Sequence, residues 1–430
     1  KKIVHDSPLN PHQMDRTIAP EVKPIKTLNI VAPQRHSLNS GGHLFHLSEV
    51  DDEAVKIDLI FDAGTSKYSK IVSKITGGLL LSGTHNKSSS EIEESIDRLG
   101  GFTNVEVSAD ESVVSVLGLR EHIVSLLEIV VESILHLTFD EREINQTIAQ
   151  KKQRFEISMG KVSTLARRKF LSLVFPDSPY GVQTEKEDFD QLDRNDIIEF
   201  HEKHYKGALQ KVAVVGNLAA ETIEEIEKIV SSFQFQPTES RGTEYQYAPK
   251  SVDVEKKGAL QTAVRIGRVL FNKKHEDFID FSVLNTILGG YFGSRLMTSI
   301  REDKGYTYGI GSGVAQLKDT GYFFISTEVG EQYKEDTITA IRIEIERLQQ
   351  ELVSAEELEL VRNYITGQLL SNADGPFAQM DRYLSVIKHG KDLSYYNEVL
   401  NRLNHITPER IRSLAEEYLN WEDLIVVKAG

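Results

Sequence analysis

The chain reads as an α+β protein made of two tandem homologous domains, each a mostly antiparallel sheet covered by helices on one face. Three observations predict this. The order of elements in the first half returns in the second at a nearly constant offset, which chance similarity does not sustain over five elements. Adjacent segments alternate apolar and polar residues with a period of two, and helical stripes bracket them. A chain of 430 residues also exceeds what one compact core serves.

In order, residues 1–29 carry four of the eleven prolines (Pro8, Pro11, Pro20 and Pro24) and read as an extended arm laid on a domain or a partner. The first domain is expected over 30–233. Strand-like alternation begins near Leu28, and Val55 to Phe61 is a strand. Ser90 and Glu93 have the spacing of a capping box, opening a short helix with Ile92, Ile96 and Leu99 on one face. Gly100 and Gly101 stop it. Residues 102–110 and 112–119 make a hairpin, and Ile123, Leu127, Val130, Val131 and Ile134 mark an amphipathic helix. Asp140 caps a longer helical region, and a buried strand over 212–215 follows a helix over 196–205.

Residues 234–250, with two prolines and little periodicity, read as the linker to a second domain over 251–430. There Lys304, Gly305 and Tyr306 stand where Gly100, Gly101 and Phe102 precede the first hairpin. Ile338, Ile341, Ile345 and Leu348 match the helix of Ile123, Leu127 and Val130. Glu356 to Leu358 answers Glu141 to Glu143, and Tyr418 followed by Leu424 to Val427 answers Tyr205 followed by Val212 to Val215.

The bulk numbers exclude several function classes. The formal charge is −15, from 50 basic and 65 acidic residues, with no long Lys/Arg run, which argues against a nucleic-acid partner. No cysteine is present, so disulfides, thiolate nucleophiles and iron–sulfur clusters are out. No segment has the apolar length of a spanning helix. The first residues, Lys1 to Asp6, lack the apolar stretch of a signal peptide and do not begin with Met. The compartment, cytoplasmic or periplasmic, stays open.

One corner of the second domain concentrates the chemistry. Leu284, Ile287 and Leu288 form a helical stripe broken at Gly289 and Gly290. A second short helix from Ser294 carries Leu296, Met297 and Ile300, and it ends at Gly305 as a left-handed cap. From Tyr306 the chain reads as a strand with Tyr306, Tyr308 and Ile310 on one face. Arg301 near a helix end and Tyr308 near a strand start admit two readings. Arg301 can serve the helix macrodipole while Tyr308 packs, or a rigid turn can hold guanidinium and phenol side by side as two donors.

Residues 293–296 followed by 300–308 resemble the C-terminal-domain signature of the insulinase/pitrilysin-type (inverzincin) zinc metallopeptidases. The resemblance covers nearly the whole chain except the arm. It implies a clamshell of two such halves, with Arg301 and Tyr308 reaching a zinc site to bind the scissile carbonyl. It also implies an inverted H-x-x-E-H motif shortly before Gly83 and Thr84, with a downstream Glu as third ligand. Here Lys74 and Gly78 stand at the two His positions, Gly77 at the general base and Gln150 at the third ligand.

Other candidates are weaker. His43 and His46, on a strand, point to opposite faces. His201 and His204 share a helix face, but their counterparts in the repeat, Leu414 and Glu417, are not metal-like, and a solvated face is the expectation. The glycines from Gly309 to Gly313 lack the strand-then-helix context of a dinucleotide loop, and Ser88 to Ser90 form an N-cap cluster.

The resemblance thus implies a non-metal subunit, inactive alone and without a cofactor of its own. A partner subunit with an intact H-x-x-E-H motif would hold the zinc, and the two chains would enclose an unfolded peptide as a zinc-dependent endopeptidase heterodimer. The alternative is a catalytically inactive peptidase-like homodimer that binds or scaffolds.

Overall fold

A computed structural model describes residues 25–38, 40–49, 52–236 and 245–430. Most of the arm (1–24) and part of the expected linker (237–244) lie outside them. The first half runs β1 (Gln34–Ser37), β2 (His43–Leu47), β3 (Ala54–Phe61), α1 (Lys70–Leu79), α2 (Ser89–Arg98), β4 (Phe102–Val107) and β5 (Ser112–Leu119). It continues through α3 (Ile123–Leu135), α4 (Glu141–Met159), α5 (Val162–Val174), α6 (Arg194–His201), β6 (Leu209–Val215) and α7 (Ala220–Val230). The second half runs β7 (Ser251–Val254), β8 (Gln261–Leu270), α8 (Phe278–Asn285), β9 (Ile310–Gln316), β10 (Gly321–Gly330) and α9 (Lys334–Gln350). Then come α10 (Ala355–Ser371), α11 (Pro376–Ile387), α12 (Ser394–His405), α13 (Pro408–Tyr418) and β11 (Ile425–Ala429).

The duplication is visible in the ladders. The first sheet has the order β1-β2-β6-β3-β5-β4 and the second β7-β11-β8-β10-β9. With β2, β6, β3, β5 and β4 laid on β7, β11, β8, β10 and β9, every pairing keeps its sense. The one parallel pair is β2 with β6 in the first sheet and β7 with β11 in the second, and the others are antiparallel. Only β1 has no counterpart.

Both faces of each sheet are covered, where one was expected. The period of two shows how. Val212 and Val214 of β6 enter the core of the first half, whereas Ala213 and Val215 on the other face meet Met380 of α11. Val426 of β11 enters the core of the second half, whereas Ile425, Val427 and Ala429 face Ala166, Phe170 and Val174 of α5. Each half therefore lends a helix to the outer face of the other's sheet. That exchange fixes how the halves sit together. The described end of the arm and the residues just after it join the second half: the Leu28 amide donates to Asn397 Oδ1 at 3.0 Å and the Val31 amide to Gln379 Oε1 at 2.9 Å.

Three local expectations shift. The capping box is formed by Ser88 and Glu91, two residues before Ser90 and Glu93, because Ser88 has the extended backbone of an N-cap and both reciprocal bonds form there. Residues 25–33 make no ladder; their alternation packs Leu28 into the second core rather than into a sheet. The strand after Gly305 begins at Ile310, not Tyr306, for reasons found in its hydrogen bonds.

Candidate functional site

The positions equated with the zinc motif lie on α1, where it crosses α4 and the edge strand β4. Gly77 is there because of that crossing. A Cβ on it would come within 2.5 Å of Val107 Cγ2 and 3.1 Å of the Tyr205 hydroxyl. A glutamate at this position has no room. A Cβ on Gly78 would meet Thr147 Cγ2 at 3.3 Å and Lys151 Cε at 3.6 Å. The residues of α4 facing α1 are therefore Thr147 and Lys151, one turn apart. Gln150 is exposed on the flank of α4.

Lys74, Gly77 and Gly78 line a cavity of about 510 Å³ with Lys151 and Arg154 of α4 and Val105 and Val107 of β4. A second cavity, of about 340 Å³, adjoins it through Lys74, Phe155, Ser158 and Thr184 and adds Lys70, Arg167 and Arg168. Six cations line the two, and no Asp or Glu does. Of the six, Arg168 pairs with Glu185 at 2.7 Å and the Lys70 ammonium donates to the Tyr180 carbonyl at 3.0 Å. Among the described residues Lys74, Lys151, Arg154 and Arg167 meet no carboxylate.

Burial, reinforced by Lys74, Arg168 and Arg167, pushes the Lys70 pKa down to about 8. Burial, then Arg167, Lys151 and Arg168, lower that of Lys74, although the residue keeps part of its surface exposed. Lys151 is lowered by burial and by Arg154. Amines and glycines at these positions do not fit a zinc ion: they offer no anionic or imidazole ligand, and the surrounding charge repels a cation. Among the described residues no cluster of three or more His, Asp or Glu could hold a metal.

His201 and His204 are not on a solvated face. Both are buried, at 1% and 8% exposure. His201 Nε2 hydrogen-bonds the Ile134 carbonyl at 2.7 Å and His204 Nδ1 the Asp62 carbonyl at 2.8 Å. A wide π-type turn over Glu202–Lys206 reorients the second ring, so the pair serves the packing around Tyr205. Burial holds His201 down to about 4, neutral near pH 7.

In the second half, Leu296, Met297 and Ile300 are buried as expected, and Gly305 takes the left-handed backbone (φ +66°) that reverses the chain. Arg301 Nε donates to the Tyr308 carbonyl at 3.0 Å, and its guanidinium lies 4.6 Å from the centroid of the Phe292 ring. The contact is to the Tyr308 backbone, not to its phenol. Thr307 Oγ1 donates to the Glu328 carbonyl at 2.8 Å and Thr327 Oγ1 to the Gly309 carbonyl at 2.9 Å. These side-chain bonds replace ladder bonds, which is why β9 starts late. Tyr306 stacks on Tyr333, with centroids 4.6 Å apart, while the Tyr308 side chain is 95% exposed. Tyr308 borders a cavity of about 430 Å³ that shares no lining residue with the cation-lined pair.

The sequence reading missed the cation cluster. Its signals were present, namely Lys151 and Arg154 three apart on a helix and Arg167 beside Arg168. Only packing shows that they meet Lys70 and Lys74.

Comparison with known proteins agrees with this architecture. Residues 47–186 match the profile described as Insulinase (Peptidase family M16), and residues 191–365 match the Peptidase M16 inactive domain. The uncharacterized zinc protease YmxG of Bacillus subtilis is 25% identical over 345 residues, 79% of this chain and 83% of that protein. An uncharacterized zinc protease of Rickettsia bellii is also 25% identical, over 74% of this chain and 78% of its own length. Among solved structures, a peptidase M16 inactive domain from Pseudomonas fluorescens superposes with a TM-score of 0.85 at 21% identity, covering 94% of this chain and 98% of that one. A protease from Helicobacter pylori gives a TM-score of 0.80 at 17% identity, covering 93% and 100%.

Proposed function

Since the chain belongs to the M16 (insulinase) family of peptidases, we propose that it is the non-metal subunit of a heterodimeric zinc peptidase. Its partner would carry the intact H-x-x-E-H motif and the zinc, and the two chains together would enclose an unfolded peptide. The observation that carries this reading is the contrast between two places in one molecule. Lys74, Gly78 and Gln150 stand at the positions equated with the metal ligands and Gly77 at that of the base, while Tyr308 offers an unobstructed phenol on a turn held by Arg301 and two threonines.

In the assembled site Tyr308 Oη–H donates to the oxygen of the scissile carbonyl as charge develops on it. The phenol does so without bringing a charge of its own near pH 7. Arg301 positions that phenol through the backbone and offers its remaining N–H groups to the same oxygen. Both act in trans, since the chain's own α1 holds no metal site to serve.

Co-purification of the tagged chain from its native cell tests this. The expected result is a stoichiometric second subunit with H-x-x-E-H, zinc in the complex, and peptidase activity in the complex but not in the isolated chain. A stable homodimer without zinc or activity would instead favour the scaffold.

A further inference from the structure

The positions where zinc ligands are missing are not an empty scar. Six cations, from α1, α4 and α5, line two adjoining cavities that contain no carboxylate, in a chain whose net charge is −15. Four of them meet no carboxylate anywhere among the described residues. Like charges held this close repel one another. Such an arrangement is favourable once an anion fills it.

The neighbouring backbone indicates what sort of anion. The first sheet ends at β4, whose outer edge pairs with no strand among the described residues, and Val105 and Val107 of this strand form one wall of the larger cavity. A free strand edge recognises extended peptide through main-chain hydrogen bonds, and the adjoining pocket selects a side chain or terminus. Val105, Val107, Phe155 and Phe189 supply apolar walls, while Lys74, Lys151 and Arg154 supply donors. A charge-assisted hydrogen bond is roughly twice as strong as a neutral one.

We propose that the cavity between α1, α4 and β4 is a carboxylate-binding pocket, which takes an acidic side chain or the C-terminal carboxylate of an extended peptide laid along β4. The substitution of the zinc ligands has converted a cation site into an anion site. This subunit then selects acidic peptides for the complex. The inference deepens the peptide-enclosing role proposed above and rests on it, but not on any catalytic part played by Arg301 and Tyr308.

The test is fluorescence anisotropy on the full isolated chain with a labelled peptide of alternating Thr and Glu. Two controls accompany it: the same peptide with Gln for every Glu, and the Glu peptide with an amidated C-terminus. We expect the Glu peptide to lose at least ~10-fold in affinity on one or other exchange, Glu to Gln or carboxylate to amide, and raising the salt from about 0.05 to about 0.5 M to weaken it. If amidation alone abolishes binding, the pocket takes the terminus; if only the Gln exchange does, it takes a side chain. Either supports the proposal. The variant K74E/K151E should lose at least ~10-fold in affinity for the Glu peptide. The milder K74Q/K151Q should lose several-fold while melting no lower than the parent, because it relieves repulsion between cations. Binding that neither the Gln exchange nor amidation weakens, or unchanged affinity in the folded K74Q/K151Q chain, overturns the carboxylate pocket and leaves peptide enclosure standing. Failure of every peptide to bind the isolated chain also overturns the pocket, while enclosure by the two chains together is decided by the activity of the complex.

Discussion

Arg301 and Tyr308 share one backbone carbonyl, and this decides what each can contribute. The guanidinium grips the Tyr308 carbonyl, so the phenol is placed by its main chain and kept clear of its own domain. In the proposed heterodimer, Tyr308→Phe should keep folding and assembly while kcat falls by ~10²–10³, the usual loss for one oxyanion donor. Arg301→Ala should cost at least as much, since it frees the turn as well as removing donors. Normal turnover by both assembled variants would take catalysis away from this subunit. A second residue-scale prediction concerns Lys70. Its pKa is pushed down to about 8 from an ordinary 10.5, so between those values the unfolded chain holds more protons than the folded one. Stability contributed by this group therefore rises with pH from about 8 to about 10.5, and the full penalty for its charge is present below 8. Lys70→Gln should flatten that part of the profile and raise the urea midpoint at pH 7 more than at pH 10. A midpoint difference independent of pH would show that Lys70 titrates normally.

At the scale of elements, the crossing of α1 over β4 is held close by one missing side chain. Gly77→Ala puts a methyl within 2.5 Å of Val107 Cγ2 and should destabilise by about 1–3 kcal/mol, as overpacking does. Urea titration measures it, and a change below about 0.5 kcal/mol would mean that α1 can lift from the strand. The cap of α2 is a milder case. Ser88→Ala removes the side-chain acceptor for the Glu91 amide and should cost about 1 kcal/mol, whereas Ser90→Ala should be nearly silent. The pair of variants distinguishes two serines that spacing alone left ambiguous.

For the whole molecule, the exchange of α5 and α11 between the halves sets the cooperativity. Phe170 of α5 is fully buried against the second sheet, next to Ile425 and Val427 of β11. Phe170→Ala should cost about 3–5 kcal/mol, more than most substitutions within a single core. Because each half covers a face of the other, calorimetry should show one cooperative transition for the chain rather than two. Two separable transitions, with Phe170→Ala shifting only one, would mean that the halves fold independently. Residues 251–430 expressed alone should self-associate, since removal of α5 uncovers Ala263, Ile425, Val427 and Ala429 together.

The order of the elements, the duplication and the absence of His, Asp and Glu from positions 74, 77, 78 and 150 were legible in the sequence by itself. Each depends on residue identity or on spacing within one element, where periods of 2 and 3.6 are set by chain neighbours. Lys74, Gly77 and Gly78 could be read as non-ligands without coordinates, and Arg301 with Tyr308 could be singled out by spacing. Tertiary structure decided everything that requires convergence. Lys70, Lys151 and Arg167 are separated by whole helices, so their joint field has no signature in local pattern. His201 and His204 look solvent-facing by composition, yet a π-type turn and two backbone carbonyls bury them. The late start of β9 hangs on Thr307 and on Thr327 of the next strand, whose hydroxyls donate to the Glu328 and Gly309 carbonyls. Such contacts are chosen by packing between distant segments, and a linear reading registers only the segments.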